Sequence, residues 1–189
     1  MKKITWKRRG ARWSALLLTL FLLVLCVWGG QAAASTARVV VRSHNSRQFA
    51  AGKVIVVSLA QQRLYAYENG SQVFSTTVLT GRPELGTPTG TYHVFAKLSP
   101  TTFYSPFPPG SVEWYPPTHI TYALEWKEGG FFLHDSWWHS VYGPGTNQWH
   151  YDPIDGWQSG SHGCISMPLS AAAWLYNWAP IGTTVQINA

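Results

Sequence analysis

Apolar residues come first as one long block and then as short alternating runs. The block, ALLLTLFLLVLCVW from Ala15 to Trp28, is 14 residues long, short of the roughly 20 that a helix needs to span a bilayer. From Ser35 to Gly52 polar, basic and small residues mix without a period, as in a spacer. A strand-like pattern begins at Lys53. KVIVVSL and RLYAYE flank Ala60-Gln61-Gln62, and Glu68-Asn69-Gly70-Ser71 separates RLYAYE from QVFSTTVL. Asn-Gly between alternating runs predicts a tight hairpin, because both central residues of such a turn need positive φ. Residues 81–90, GRPELGTPTG, form a breaker-rich loop into a further strand, TYHVFAKL, and a Pro-rich irregular stretch follows from Ser99 to Pro117. Strands resume at about Ile120–Trp126 and Gly130–Leu133, around a Lys127-Glu128-Gly129 turn, with His134 at the end of the second. Residues 135–163 are rich in Gly, Pro, Trp and Tyr with little periodicity, a long loop of the kind that is usually functional when a compact domain keeps it. The one good helix candidate is Leu169–Trp178, LSAAAWLYNW, stopped by Pro180 and Gly182; TTVQI closes the chain as a strand. There is no internal repeat. The pattern predicts a mainly β fold with one helix near the C-terminus.

Composition agrees. The 189 residues suffice for one domain, and 46% hydrophobic against 12% charged residues excludes disorder by composition. Eleven Trp, 17 Gly and 12 Pro favour a turn-rich β protein over a helical bundle. The formal net charge of +6 points to a polyanion until its distribution is read. Lys2, Lys3, Lys7, Arg8, Arg9 and Arg12 all precede the apolar block, and no acidic residue occurs before Glu68. A basic segment, an apolar run and then Gly29, Gly30 and Ala32-Ala33-Ala34 read as a signal peptide over residues 1–34, or as an uncleaved anchor. Either way the remainder is expected outside the cytosol. Gly10-Ala11 after Arg8-Arg9 favours ordinary secretion over twin-arginine export, and bulky Leu25 before Cys26 argues against lipid attachment. Beyond Ala34 eight basic and eight acidic residues balance, so nucleic-acid binding is excluded as a function class.

Two cysteines occur, and Cys26 lies in the leader, so Cys164 is alone in the exported part and has no intramolecular disulfide partner. A lone thiol outside the cytosol is either a packed small hydrophobe or a nucleophile. Ser161-His162-Gly163-Cys164 ends the long loop with a glycine that permits an unusual backbone angle, and such a turn can aim backbone N–H groups at an oxyanion. His134, at a strand end, is placed to act as general base. Trp137, Trp138, Tyr142, Trp149, Tyr151 and Trp157 offer walls that exclude water and grip a chain-like substrate. Taken singly, Cys164 and His134 read equally as core groups, His162 as a residue that holds the loop, and the tryptophans as core. His44, His93, His119, His139 and His150 show no metal-ligand spacing.

SHGC followed by an apolar residue, GTPTGTY, VIVVSLAQQRLYAYENG, FxLHDxxW and GTTVQI, in that order, resemble the L,D-transpeptidase catalytic domain of YkuD type over Lys53–Ala189. The resemblance implies a mixed β-sandwich fold and action on peptidoglycan stem peptides without metal or organic cofactor. It implies Cys164 as nucleophile, His134 as base, the Asp135 carbonyl as the group orienting the ring, and Ser161, His162 and Gly163 as shapers of the turn and its oxyanion donors. Ser166, Trp138, Tyr142 and Trp157 are expected on the substrate. Reaction through a thioester implies sensitivity to carbapenems. Membrane contact is expected only through an uncleaved leader. Two features depart from the family pattern. The 26 residues between His134 and Ser161 exceed its usual spacing, and Ser166 stands where members commonly carry Arg or Asn. Two other readings compete: a non-catalytic wall-binding module with an aromatic grip, and a zinc peptidase using His134, His150 or His162 with Asp135 or Asp152.

Overall fold

The computed structural model describes residues 52–189; the expected leader, and the spacer up to Ala51, lie outside them. β1 (Lys53–Ser58), β2 (Arg63–Glu68) and β3 (Ser71–Thr77) form an antiparallel meander. Asn69 (φ 50°) and Gly70 (φ 83°) make the expected two-residue turn. The TYHVFAKL run divides into β4 (Gly90–His93) and β5 (Ala96–Leu98), which join different sheets. The Pro-rich stretch contains β6 (Thr101–Phe103), paired with β7 (Thr118–Ile120). β8 (Ala123–Lys127) and β9 (Phe131–Asp135) follow. The long loop, expected to be irregular, holds a hairpin of β10 (Trp149–Asp152) and β11 (Gly156–Ser159). β12 (Ile165–Met167), α1 (Leu169–Trp178) and β13 (Thr184–Asn188) complete the chain. Among the described residues no helix is long and apolar enough to cross a membrane.

A five-stranded sheet, β3-β2-β1-β13-β4, faces a four-stranded one, β12-β9-β8-β5. Ile55, Val57, Leu64, Val185 and Ile187 from the first meet Leu124, Trp126, Leu133, Ile165 and Met167 from the second in one buried core. The fold is therefore a mainly β, mixed sandwich. α1 touches both sheets: Leu175 is in the core, Trp174 stacks on Phe74 of β3, and the Trp178 indole donates to Glu68 of β2.

The strand pairing that matters most is β12 with β9, parallel, with Ile165 opposite Leu133 and Ser166 opposite His134. Successive side chains alternate across a sheet. Leu133, Ile165 and Met167 enter the core, so Phe132, His134, Cys164 and Ser166 share the other face. A segment after β3 fixes β12 from its free side: Leu79 and Ser166 exchange two backbone hydrogen bonds of 2.9 Å. Gln62 anchors that segment. Its buried amide donates to Leu59 O and Thr80 Oγ1 and accepts from the Thr80 N–H. Gln62→Leu strands the Thr80 N–H in the interior, so urea unfolding is expected to show a loss of about 2–3 kcal/mol; a loss below about 0.5 kcal/mol would mean that water replaces the amide.

Candidate active site

Cys164 is half-buried. Its thiol accepts from the Phe132 N–H at 3.4 Å and donates to Gly130 O at 3.3 Å, both on or beside the neighbouring strand. Burial pushes the thiol up to about 11; the Glu125 carboxylate adds to this and the Phe132 N–H opposes it. At neutral pH the sulfur is protonated. Tyr115, from the Pro-rich stretch, reaches the same place: burial raises its phenol, and so does the negative charge of an ionised Cys164.

His134 lies one pleat further along. Its Nδ1 is 2.7 Å from Asp135 O; a carbonyl only accepts, so in the neutral ring Nδ1 carries the hydrogen and Nε2 presents a lone pair. Nε2 is 3.4 Å from Ser166 Oγ. Phe103 meets the ring edge-on at 5.2 Å and Trp138 covers it at 6.2 Å. Burial lowers the pKa of this histidine, against the pull of the Asp135 carbonyl and carboxylate. The ring is therefore neutral at pH 7 and able to take a proton. The Asp135 carboxylate turns away, accepting from the N–H groups of Thr121 and Tyr122 and so tying β9 to the start of β8.

The SHGC turn is built from its own polar groups. Ser161 Oγ donates to Cys164 O at 2.6 Å and accepts from the Gly163 N–H at 3.0 Å. The Gly163 N–H therefore closes the turn, with the Ser161 hydroxyl as its acceptor. Gly163 has φ 110°, and a Cβ there would come within 2.7 Å of Phe131 Cε1. Its carbonyl accepts from Thr87, whose hydroxyl also takes the Gly81 N–H. Gly160 passes so close to the chain at Arg82 that a Cβ would sit 2.5 Å from Arg82 N. His162 points to the Pro-rich stretch: Nε2 is 3.2 Å from Glu113 Oε2, Phe107 and Tyr115 flank the ring, and Arg82 pairs with the same carboxylate. Burial, then the Arg82 charge, lowers its pKa to about 4. It is a clamp between two loops.

Ser166 and Tyr142 are both engaged within the protein. Ser166 is 1% exposed, and its hydroxyl faces the His134 ring. The Tyr142 hydroxyl is spent on Ser136 and on His139 O, bracing the long loop. Trp138 stands over His134, while Trp157 is on the outer face of the β10–β11 hairpin and is exposed. Tyr115, Phe103, Glu113, Arg82 and Glu125 escaped notice in the sequence; they come from segments without periodicity or from ordinary strand positions.

Asp152 is the hub of the long loop. Burial disfavours its charge, but N–H groups of Ile154, Ser140 and Val141 and the Ser140 hydroxyl outweigh that and hold it below the usual carboxylate range. Beside it the Gln158 amide lies 2.7 Å from His139 Nδ1. Among the described residues no three His, Cys, Asp or Glu side chains are grouped to hold a metal ion. A thiol and an imidazole on one sheet face, with a neutral ring held in one tautomer, can perform acyl transfer.

A family description, L,D-transpeptidase catalytic domain (YkuD), matches residues 52–187. A Bacillus subtilis (strain 168) protein assigned as an L,D-transpeptidase, YciB, is 26% identical over 140 residues, 71% of this chain and 64% of that protein. Among solved structures, the C442S mutant of an Enterococcus faecium L,D-transpeptidase superposes with a TM-score of 0.60 at 26% identity, covering 72% of this chain and 49% of that one. The Ldtfm–avibactam carbamoyl enzyme gives 0.60 at 27%, covering 74% and 50%. The chain thus spans about half the length of these structures and under two thirds of the curated relative.

Burial lowers the pKa of His139 to about 4, with Asp152 opposing and His134 and His150 assisting. Like His162, it binds its proton less readily folded than unfolded. Their contribution to stability is whole above pH 6.5 and lost as pH falls toward 4. Urea midpoints are expected to fall from pH 7 to 4.5, and His139→Gln should remove about 2 kcal/mol of that dependence; a midpoint flat over this range would contradict the burial of both rings.

Proposed function

The chain belongs to the family of L,D-transpeptidase catalytic domains, and on that premise we propose that it is an exported cysteine L,D-transpeptidase acting on peptidoglycan stem peptides. The observation that carries the reading is the placement of Cys164 and His134 on one face of two in-register parallel strands. Cys164 is the nucleophile. As its sulfur attacks the carbonyl of the diamino acid at the third stem position, its proton passes to His134 Nε2, while the Asp135 carbonyl holds Nδ1–H in place. The tetrahedral intermediate collapses, the C–N bond to the terminal D-alanine breaks, and His134 returns the proton to the leaving amine. The thioester keeps the acyl group reactive without ATP. A side-chain amine of a second stem then gives up a proton to His134, attacks, and restores the thiol as an amide cross-link forms; water in its place would trim the stem. Ser166 and Trp138 hold the base, and His162 with Glu113 and Arg82 holds the turn. No cofactor is needed. The avibactam carbamoyl adduct of a relative supports acylation as the chemistry here, and reaction through a thioester makes carbapenems the expected inhibitors. Export rests on the basic and apolar leader.

The non-catalytic reading would make Cys164 a bystander, and the zinc reading would make it irrelevant. Intact-mass spectrometry after incubation with a tetrapeptide stem distinguishes all three. The chain should gain the mass of the stem less one alanine and keep that gain in EDTA. Cys164→Ala should abolish it, and His134→Ala should slow it by about 10²–10⁴-fold. A folded native chain that forms no adduct, or one whose turnover is lost in EDTA, would overturn the proposal.

A further inference from the structure

The β10–β11 hairpin wears its amphipathicity inside out. Trp149 and Tyr151 share one face with Trp157, which is directly opposite Tyr151; His150, Asp152 and Gln158 share the other. The polar face is the one turned inward, where Asp152 is fully buried and Gln158 meets His139. The three aromatic residues face water at 69%, 57% and 64% exposure. Trp149 and Trp157 lie within 15° of parallel with centroids 6.2 Å apart, and Tyr151 sets its edge against Trp157 at 5.8 Å. A patch of this kind, held rigid by a two-stranded ladder and a carboxylate hub, marks a binding surface.

Charge narrows the occupant. From Glu128 to Ala189 the sequence has no Lys or Arg, and the hairpin itself carries Asp152, held ionised, and Asp155 at its turn. Phosphate polymers and anionic headgroups are repelled. A neutral pyranose suits the face, since its C–H groups are slightly positive and pack on the negative faces of the rings. Position narrows it further: the inner face reaches the base through Gln158, His139, Trp138 and His134 in successive contact. Resting on the function proposed above, under which every stem hangs from a glycan strand, we propose that Trp149, Tyr151 and Trp157 form a platform that stacks the amino-sugar rings of that strand.

The probe is chitin, a neutral β-linked N-acetylglucosamine polymer, used with the full chain in nonionic detergent. The native chain should pellet with chitin and be released by chitohexaose. Trp149→Ala/Trp157→Ala should bind about tenfold more weakly, and Trp149→Phe/Trp157→Phe should recover most of the loss; circular dichroism checks folding. Native retention that is absent, or equal in the Ala variant, would overturn the platform. So would quenching of these two tryptophans by brominated phosphatidylcholine micelles but not by chitohexaose, which would assign the face to a membrane. Acyl adduct formation by the same native preparation is read in parallel. Lost retention with an adduct present refutes the platform alone; retention without an adduct refutes the transpeptidase reading alone.

Discussion

The register of β12 against β9 is the constraint on which the rest depends. Because side chains alternate with a period of two, a slip of β12 by one residue would send Cys164 and Ser166 into the core and Ile165 and Met167 onto the face that carries His134. Burial of Ile165 and Met167 against the opposite sheet opposes such a slip, at about 1.5–3 kcal/mol for each large side chain. The segment containing Leu79, Thr80 and Gly81 adds a second lock, bonded to Ser166 on one side and bridged to Ser161 on the other. Two close approaches, at Gly160 and Gly163, let the SHGC turn fit beneath it.

That face is poor in countercharge. The thiol has a backbone carbonyl and a backbone N–H for company, with Glu125 one strand further on, in β8, and the imidazole is walled by Phe103 and Trp138. Both groups are therefore driven toward their neutral forms, the cysteine upward and the histidine downward. A preformed thiolate–imidazolium pair would need stabilisation that these surroundings do not supply, so in the proposed reaction the proton moves during attack.

Local rules made most of the framework legible. Alternation marked the strands, Asn69-Gly70 marked the β2–β3 hairpin, and Pro180 with Gly182 bounded α1. The Trp149–Ser159 hairpin was hidden because its apolar residues face solvent and its polar residues face inward, reversing the signal that alternation normally carries. Short motifs marked Cys164 and His134 as candidates, and the strand pairing brings the two onto one sheet face. The site was illegible where partners lie far apart in sequence: nothing local announces that Glu113 will join Arg82 and His162, or that Tyr115 will approach the sulfur. Ser166 was the instructive case. Its place in the motif pointed to substrate; in the structure its side chain is buried and its hydroxyl lies 3.4 Å from Nε2 of His134.

Alkylation of Cys164 by iodoacetamide, followed by mass between pH 5 and 10, reads the protonation state on which the proposed chemistry turns. A neutral thiol beside a neutral imidazole predicts a rate that keeps rising with pH to the top of that range. A plateau from pH 5 to 8 would reveal a thiolate already formed and contradict the account.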